Sequence, residues 1–237
     1  MTDPDDGEGV PETEQSRRVD VRPADRWLEA DPVTEGVLPT DVADRFGRLL
    51  GDRIETMGDV VAGIRTSTGG PLTVDHLCHV GTESPHVAVT DGETYHFACF
   101  FDGIGLASLV DEPVEIRTES PTGEPIVVAA TPAGAVESTP PEAVMSFGIG
   151  GGFDIGSGND IGSGFDIGSG NDIGSGNEPA GTPGPTADVA YAAICPYVKA
   201  FEDQSAYERW APAVDAATVG MALTDGVSIS TALVAHP

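Results

Sequence analysis

Two residues within one short run raise the question of chemistry. In HFACFFDGIG, His96 to Gly105, Cys99 and Asp102 interrupt an otherwise apolar segment. If the chain turns helical at Cys99, Asp102 falls at i+3 on the same face, with the Cβ atoms about 5–6 Å apart. The thiol then sits in the first helical turn, where unpaired backbone N–H groups favour a thiolate. Such a thiolate can bind a soft metal or act as a nucleophile, with the carboxyl beside it as proton carrier. The same spacing also suits a buried thiol that fills a core as a small apolar side chain.

A second thiol, Cys195, stands in ICPYV at what reads as the end of a strand, with Pro196 forcing a change of direction. Cys99 and Cys195 can meet only through the fold. The third cysteine, Cys78, is followed by His79; on a strand their side chains point to opposite faces, so Cys78 reads as core. His76, His86 and His96 fall on expected strands without HxH or HExxH spacing and read as surface or core histidines. A zinc site of Cys78, Cys99, Cys195 and one histidine is the weaker metal reading, since structural zinc normally uses paired Cys-x-x-Cys ligands. Three cysteines behind a first segment with no export signal, MTDPDDGEGVPETEQSRRVD, point to reduced thiols and a cytoplasmic setting.

The elements that must position these residues are legible in part. Residues 1–35 read as a disordered acidic lead with few apolar anchors. Residues 36–70 read as a short helical region: Thr40 as N-cap, then Val42, Phe46, Leu49 and Leu50 on one face, followed by a helix in ETMGDVVAGIR. Residues 71–147 form the first part of the core. PLTVDHLCHV, HVAVT and TYHFACF read as a strand meander, a helix begins near Cys99, and a hairpin turns at Pro121–Gly123. Residues 148–186 contain four hexads of the form (Phe or Asn)-Asp-Ile-Gly-Ser-Gly. Four hexads are too few to stack β-helix coils, so the segment reads as a flexible Gly/Ser loop. Residues 187–237 complete the core with a strand reaching Cys195, a helix opened by a Ser205/Glu208 capping box, a strand in ATVGMALT and a final helix. The fold class is therefore α+β, a mostly antiparallel β core with flanking helices.

The formal charge is −28, with ten arginines and one lysine, Lys199, against 39 acidic residues. That field repels nucleic acid and anionic membranes, and no run of 18 uncharged apolar residues suggests insertion. The acids are spread along the chain, which reads as solvation in concentrated salt, as in a halophile, rather than as a face for a basic partner. Dilute buffer is then expected to destabilise the fold; an unchanged melting temperature from molar KCl to low salt would contradict this.

The run YHFACFFDGIGLASLVDEPVEI…SPTGEPIVV, followed by ICPYVKAFEDQSAYERW, resembles the organomercurial (alkylmercury) lyases over roughly residues 75–225. Cys99 and Asp102 match that family's first cysteine and aspartate, Pro121–Pro125 its turn, and Cys195, Val198, Phe201 and Trp210 its second cysteine segment. The chain departs from the pattern in its shortened helical region, in Glu119 near the place of a further cysteine, and in Ala98 where an aromatic often stands. The resemblance implies carbon–mercury cleavage by protonolysis, with Cys99 and Cys195 as mercury ligands, Asp102 as proton donor and no organic cofactor. The implied partners are an organomercurial substrate, cellular thiols and a mercuric reductase that accepts Hg(II). The rival readings are a non-catalytic carrier of Hg(II) or Cu(I) on the same cysteines, and a scaffold turned to thiol chemistry or sensing.

Overall fold

The computed structural model of the chain describes residues 26–151 and 187–235. Six α-helices and two antiparallel sheets among these residues make the expected α+β fold. Helix α1, Thr40–Leu50, buries Val42, Phe46 and Leu49 along one face, the stripe their spacing predicts. Thr40 is its first helical residue and Pro39 the N-cap, so the expected threonine cap is not made; Gly51, at φ 78°, closes the helix. Helix α2, Met57–Ser67, starts on a capping box in which the Thr56 hydroxyl accepts from the Asp59 N–H and the Asp59 carboxylate from the Thr56 N–H. The end of the acidic lead is packed rather than loose. Trp27 bridges to Gly220, and Leu28 and Val33 are buried; these anchors are masked in the sequence by the acidic composition around them. Residues 1–25 lie outside the described residues.

Strands β1, His86–Thr90, and β2, Glu93–Phe97, form a hairpin whose turn residues Asp91 and Gly92 have φ of 46° and 77°. Two left-handed residues in succession suit the twist of a two-residue turn. Helix α3, Phe100–Leu109, follows. Strands β3, Val114–Glu119, and β4, Pro125–Ala130, alternate buried and exposed residues, as strands with one face on a core do. With β5, Val136–Thr139, the sheet order is β2-β1-β3-β4-β5. The second sheet is centred on β6, Val144–Gly150, every residue of which is buried. Its neighbours are β7, Ala200–Phe201, and β8, Ala216–Ala222.

Several expectations are corrected here. Gly148, Ile149 and Gly150 do not begin a loop; they pair with Thr218, Ala217 and Ala216. The hexads themselves lie outside the described residues. PLTVDHLCHV is not a strand but a 3-10 turn, Val74–His76, followed by one bridge between His79 and Phe97. The segment expected as a strand before Cys195 is helix α4, Ala187–Ile194, which runs into a tight turn at Cys195–Tyr197. Its four alanines favour a helix more than Val189, Tyr191 and Ile194 favour a strand, and Pro196 stops it. Helix α5, Gln204–Trp210, is capped by Asp203, whose carboxylate accepts the Ala206 N–H at 2.7 Å, and not by Ser205.

Helix α3 is buried from Phe100 to Ala107 between the first sheet and helix α6, Leu223–Val234. A Cβ at Gly103 would lie 2.8 Å from Ile116 Cγ2 on β3, so the glycine is what lets the helix lie this close to the sheet. That seating fixes the start of α3, where Cys99 and Asp102 stand.

Candidate active site

Cys99 is the residue ahead of α3, in extended backbone, and Asp102 is the helix's third residue. The thiol therefore meets the carboxylate: Cys99 Sγ donates to Asp102 Oδ2 at 3.0 Å, and the two residues are 4% and 6% exposed. The contact joins the N-cap side chain to that of the third helical residue, side chain to side chain. The thiol makes no cap hydrogen bond to the helix N–H groups, contrary to the expectation of a thiolate held there.

Cys195 comes from the opposite side, where the turn after α4 buries it. Cys78 joins as a third thiol. The Ala98 N–H donates to the Cys78 carbonyl at 2.8 Å and the Val80 N–H to the His96 carbonyl at 2.9 Å, which aligns residues 78–80 with those leading into Cys99. Cys78 Sγ lies 3.4 Å from Cys195 Sγ. Those two sulfurs and a carboxylate oxygen of Asp102 all lie within 4.8 Å of one another. Cys78 is buried, as read from the sequence, but it faces the other thiols instead of serving as core alone. The bridge that brings it there joins segments with no local signal between them, so only its rarity, one of three cysteines, marked it out.

Each of these groups is pushed towards its proton-bearing form. The Cys99 thiol is raised well above its ordinary range by its hydrogen bond with Cys195, by burial and by the Asp102 charge. Cys195 is raised well above its range by its hydrogen bond with Cys78 and by burial, against the opposing effect of Cys99. For Cys78 the hydrogen bond with Cys195 pulls down, but burial and the neighbouring Asp102 and Cys99 push it up to about 12. Asp102 is itself raised, chiefly by burial, while hydrogen bonds from Cys99 and Cys78 oppose the rise. Desolvation disfavours charge in each case, and perturbed groups gathered in one place are a mark of functional sites. Lys199, itself lowered by burial, interacts electrostatically with Cys99 and Cys195.

The thiols and Asp102 line one end of a largely apolar cavity of about 150 Å³. Phe101, Phe147 and Val198 supply walls from the core, and Leu50 of α1 and Ile64 of α2 supply another, so the short helical region forms part of the cavity wall. An apolar cavity of this size holds a benzene molecule. His76 also lines it, with its Nδ1 accepting the Thr73 N–H at 3.0 Å. The fourth group at the three thiols is a carboxyl and not a histidine, which departs from the zinc set considered from sequence.

The remaining matched residues serve at a distance. Phe201 and Trp210 belong to a separate aromatic cluster with Tyr207 and Trp27, with 5.1 Å between the Phe201 and Trp210 ring centroids. The Pro121–Pro125 turn is tied to the segment after Cys195 by the Thr122 hydroxyl, which donates to Glu202 at 3.1 Å.

The alkylmercury lyase family, MerB, matches residues 81–152. That stretch holds Cys99, Asp102 and the Pro121–Pro125 turn and ends ahead of Cys195, and in it the resemblance read from the sequence is borne out. Among solved structures, the crystal structure of the mercury-bound form of MerB2 is similar over 83% of this chain and 91% of that one, at 14% identity and a TM-score of 0.43. No curated protein matches the chain.

Proposed function

We propose, from the alkylmercury lyase match of residues 81–152, that this chain cleaves carbon–mercury bonds by protonolysis, with Cys99, Asp102 and Cys195 as its catalytic residues. The observation that carries the reading is the Cys99–Asp102 hydrogen bond, buried beside Cys195 at the end of an apolar cavity. Mercury(II) is a soft ion that prefers sulfur, and the cavity suits the organic group it carries.

The substrate is an organomercury thiolate, R–Hg–SR′. Cys195 sulfur replaces the external thiolate on mercury, and its proton leaves with R′SH. Cys99 sulfur then adds, and its proton passes to the Asp102 carboxylate 3.0 Å away. As the Hg–C bond breaks, its electron pair stays with carbon and Asp102 delivers the proton, so that R–H departs and mercury remains as Hg(II) on two thiolates. A carboxyl whose pKa is raised by burial is suited to hold that proton until carbon takes it. Cellular thiols or a mercuric reductase then accept the ion, in a reducing compartment that keeps the three cysteines free.

The carrier reading draws on the close Cys78–Cys195 pair, which suits a soft ion without any cleavage. Benzene release from phenylmercury in molar KCl with excess thiol separates the two. Wild type should turn over, and Cys99→Ser, Asp102→Ala and Cys195→Ser should each lose turnover by about 10²-fold or more. A folded wild type that binds Hg(II) and yields no benzene would leave the carrier.

A further inference from the structure

The lyase chemistry above uses two thiols and leaves Cys78 without a role. Three observations assign it one. Its sulfur is 3.4 Å from that of Cys195, nearer than ordinary side-chain spacing requires. It shares with Cys195 and Asp102 a cluster whose ligand atoms lie within 4.8 Å of one another. Cys99 lines the same cavity and is hydrogen-bonded to Asp102 of that cluster at 3.0 Å, so all three sulfurs gather around one carboxylate.

We propose that Cys78 is a third mercury ligand and that the product Hg(II) is held on three sulfurs, those of Cys78, Cys99 and Cys195. The inference rests on the mercury reading of the site and adds a product-retention step to it. After R–H leaves, mercury carries two thiolates and is neutral as a unit; the Cys78 thiol adds its sulfur and gives up its proton to solvent, leaving a mercury trithiolate with one negative charge. No electron is transferred. A single negative charge inside an apolar site needs a partner, and Lys199, the one lysine of the chain, bears on Cys99 and Cys195 electrostatically.

The arrangement makes the protein a holder of its product as well as its producer. A two-sulfur site would release Hg(II) readily to any competing dithiol, whereas a third sulfur delays release until an acceptor offers several thiols at once.

The test is X-ray absorption of the full chain loaded with Hg(II) chloride, which requires no cleavage. Wild type should show three sulfurs around mercury and Cys78→Ser two, with about tenfold faster loss of mercury to dithiothreitol, the change expected for about 1.4 kcal/mol of binding. Proton release on loading provides a second readout: the Cys78 proton goes to solvent, so Cys78→Ala should release one proton per mercury fewer than wild type. Two sulfurs in wild type, or equal proton release from wild type and Cys78→Ala, would overturn the proposal. Benzene release by the same preparations keeps the readings apart. Three sulfurs without benzene refutes the lyase and leaves the third ligand standing; benzene with two sulfurs does the reverse.

Discussion

Two of the buried polar clusters among the described residues are built on opposite plans. At the thiol cavity, Cys78, Cys99, Cys195 and Asp102 are stacked against one another, each raised towards its proton-bearing form, and they face an apolar void. At the outer end of the first sheet, His86 is equally buried but settled: its Nδ1 is paired with the Thr118 hydroxyl at 2.7 Å, and burial with the Lys199 charge lowers it to about 4. One cluster pairs a single ring with a single hydroxyl, whereas the other gathers three thiols and a carboxyl, hydrogen-bonded to one another, along an apolar cavity. The difference teaches where to look for chemistry: an isolated buried pair serves the fold, whereas several perturbed groups able to bind a soft ion, gathered at one apolar cavity, mark a candidate site.

The contrast can be pressed hardest with alkali. Above pH 9 the unfolded thiols ionise while the folded ones, raised above that value, keep their protons. The unfolded state is then favoured, and stability falls as pH rises from 9 towards 12, at a slope of about 1.4 kcal/mol per pH unit for each thiol. Chemical denaturation across that range checks this, and Cys78→Ala should flatten the slope. Acid probes the other cluster. Between pH 6.5 and 4 unfolded His86 binds a proton that the folded residue refuses, so stability present above 6.5 is lost on acidification, by about 3 kcal/mol. A melting temperature independent of pH through that window would show His86 to be solvated.

Smaller changes sharpen the distinction further. Thr118→Val strips His86 of its partner and should cost about 1–3 kcal/mol of stability without altering benzene release. Ile64→Phe narrows the cavity from the α2 side and should slow phenylmercury by about tenfold while sparing methylmercury, with stability little changed. Equal slowing of both substrates would mean that the organic group does not occupy this cavity.

Much of the thiol site was legible because its first half is local. Cys99 and Asp102 are three residues apart at a helix start, a spacing that brings an N-cap side chain beside one in the first turn. The hairpins and helices around α3 carried ordinary signals, from the apolar stripe of α1 to the left-handed turn at Asp91 and Gly92. What escaped was non-local or masked by neighbours. Strand β6 is buried along its whole length and runs into glycine-rich sequence, so it offers no alternation to read. Helix α4 mixes alanine with β-prone residues over eight positions, too few for periodicity to decide. Cys78 reaches the site only through the pairing of residues 78–80 with 96–98, a contact that no local pattern encodes.

The central claim is that Asp102 carries a thiol proton to carbon. Single-turnover reaction of phenylmercury with wild type and Asp102→Asn, in molar KCl and with mercury uptake measured on the same samples, tests it directly. The account predicts equal uptake, with benzene from wild type and none on the same timescale from the variant. Equal benzene from both would contradict it.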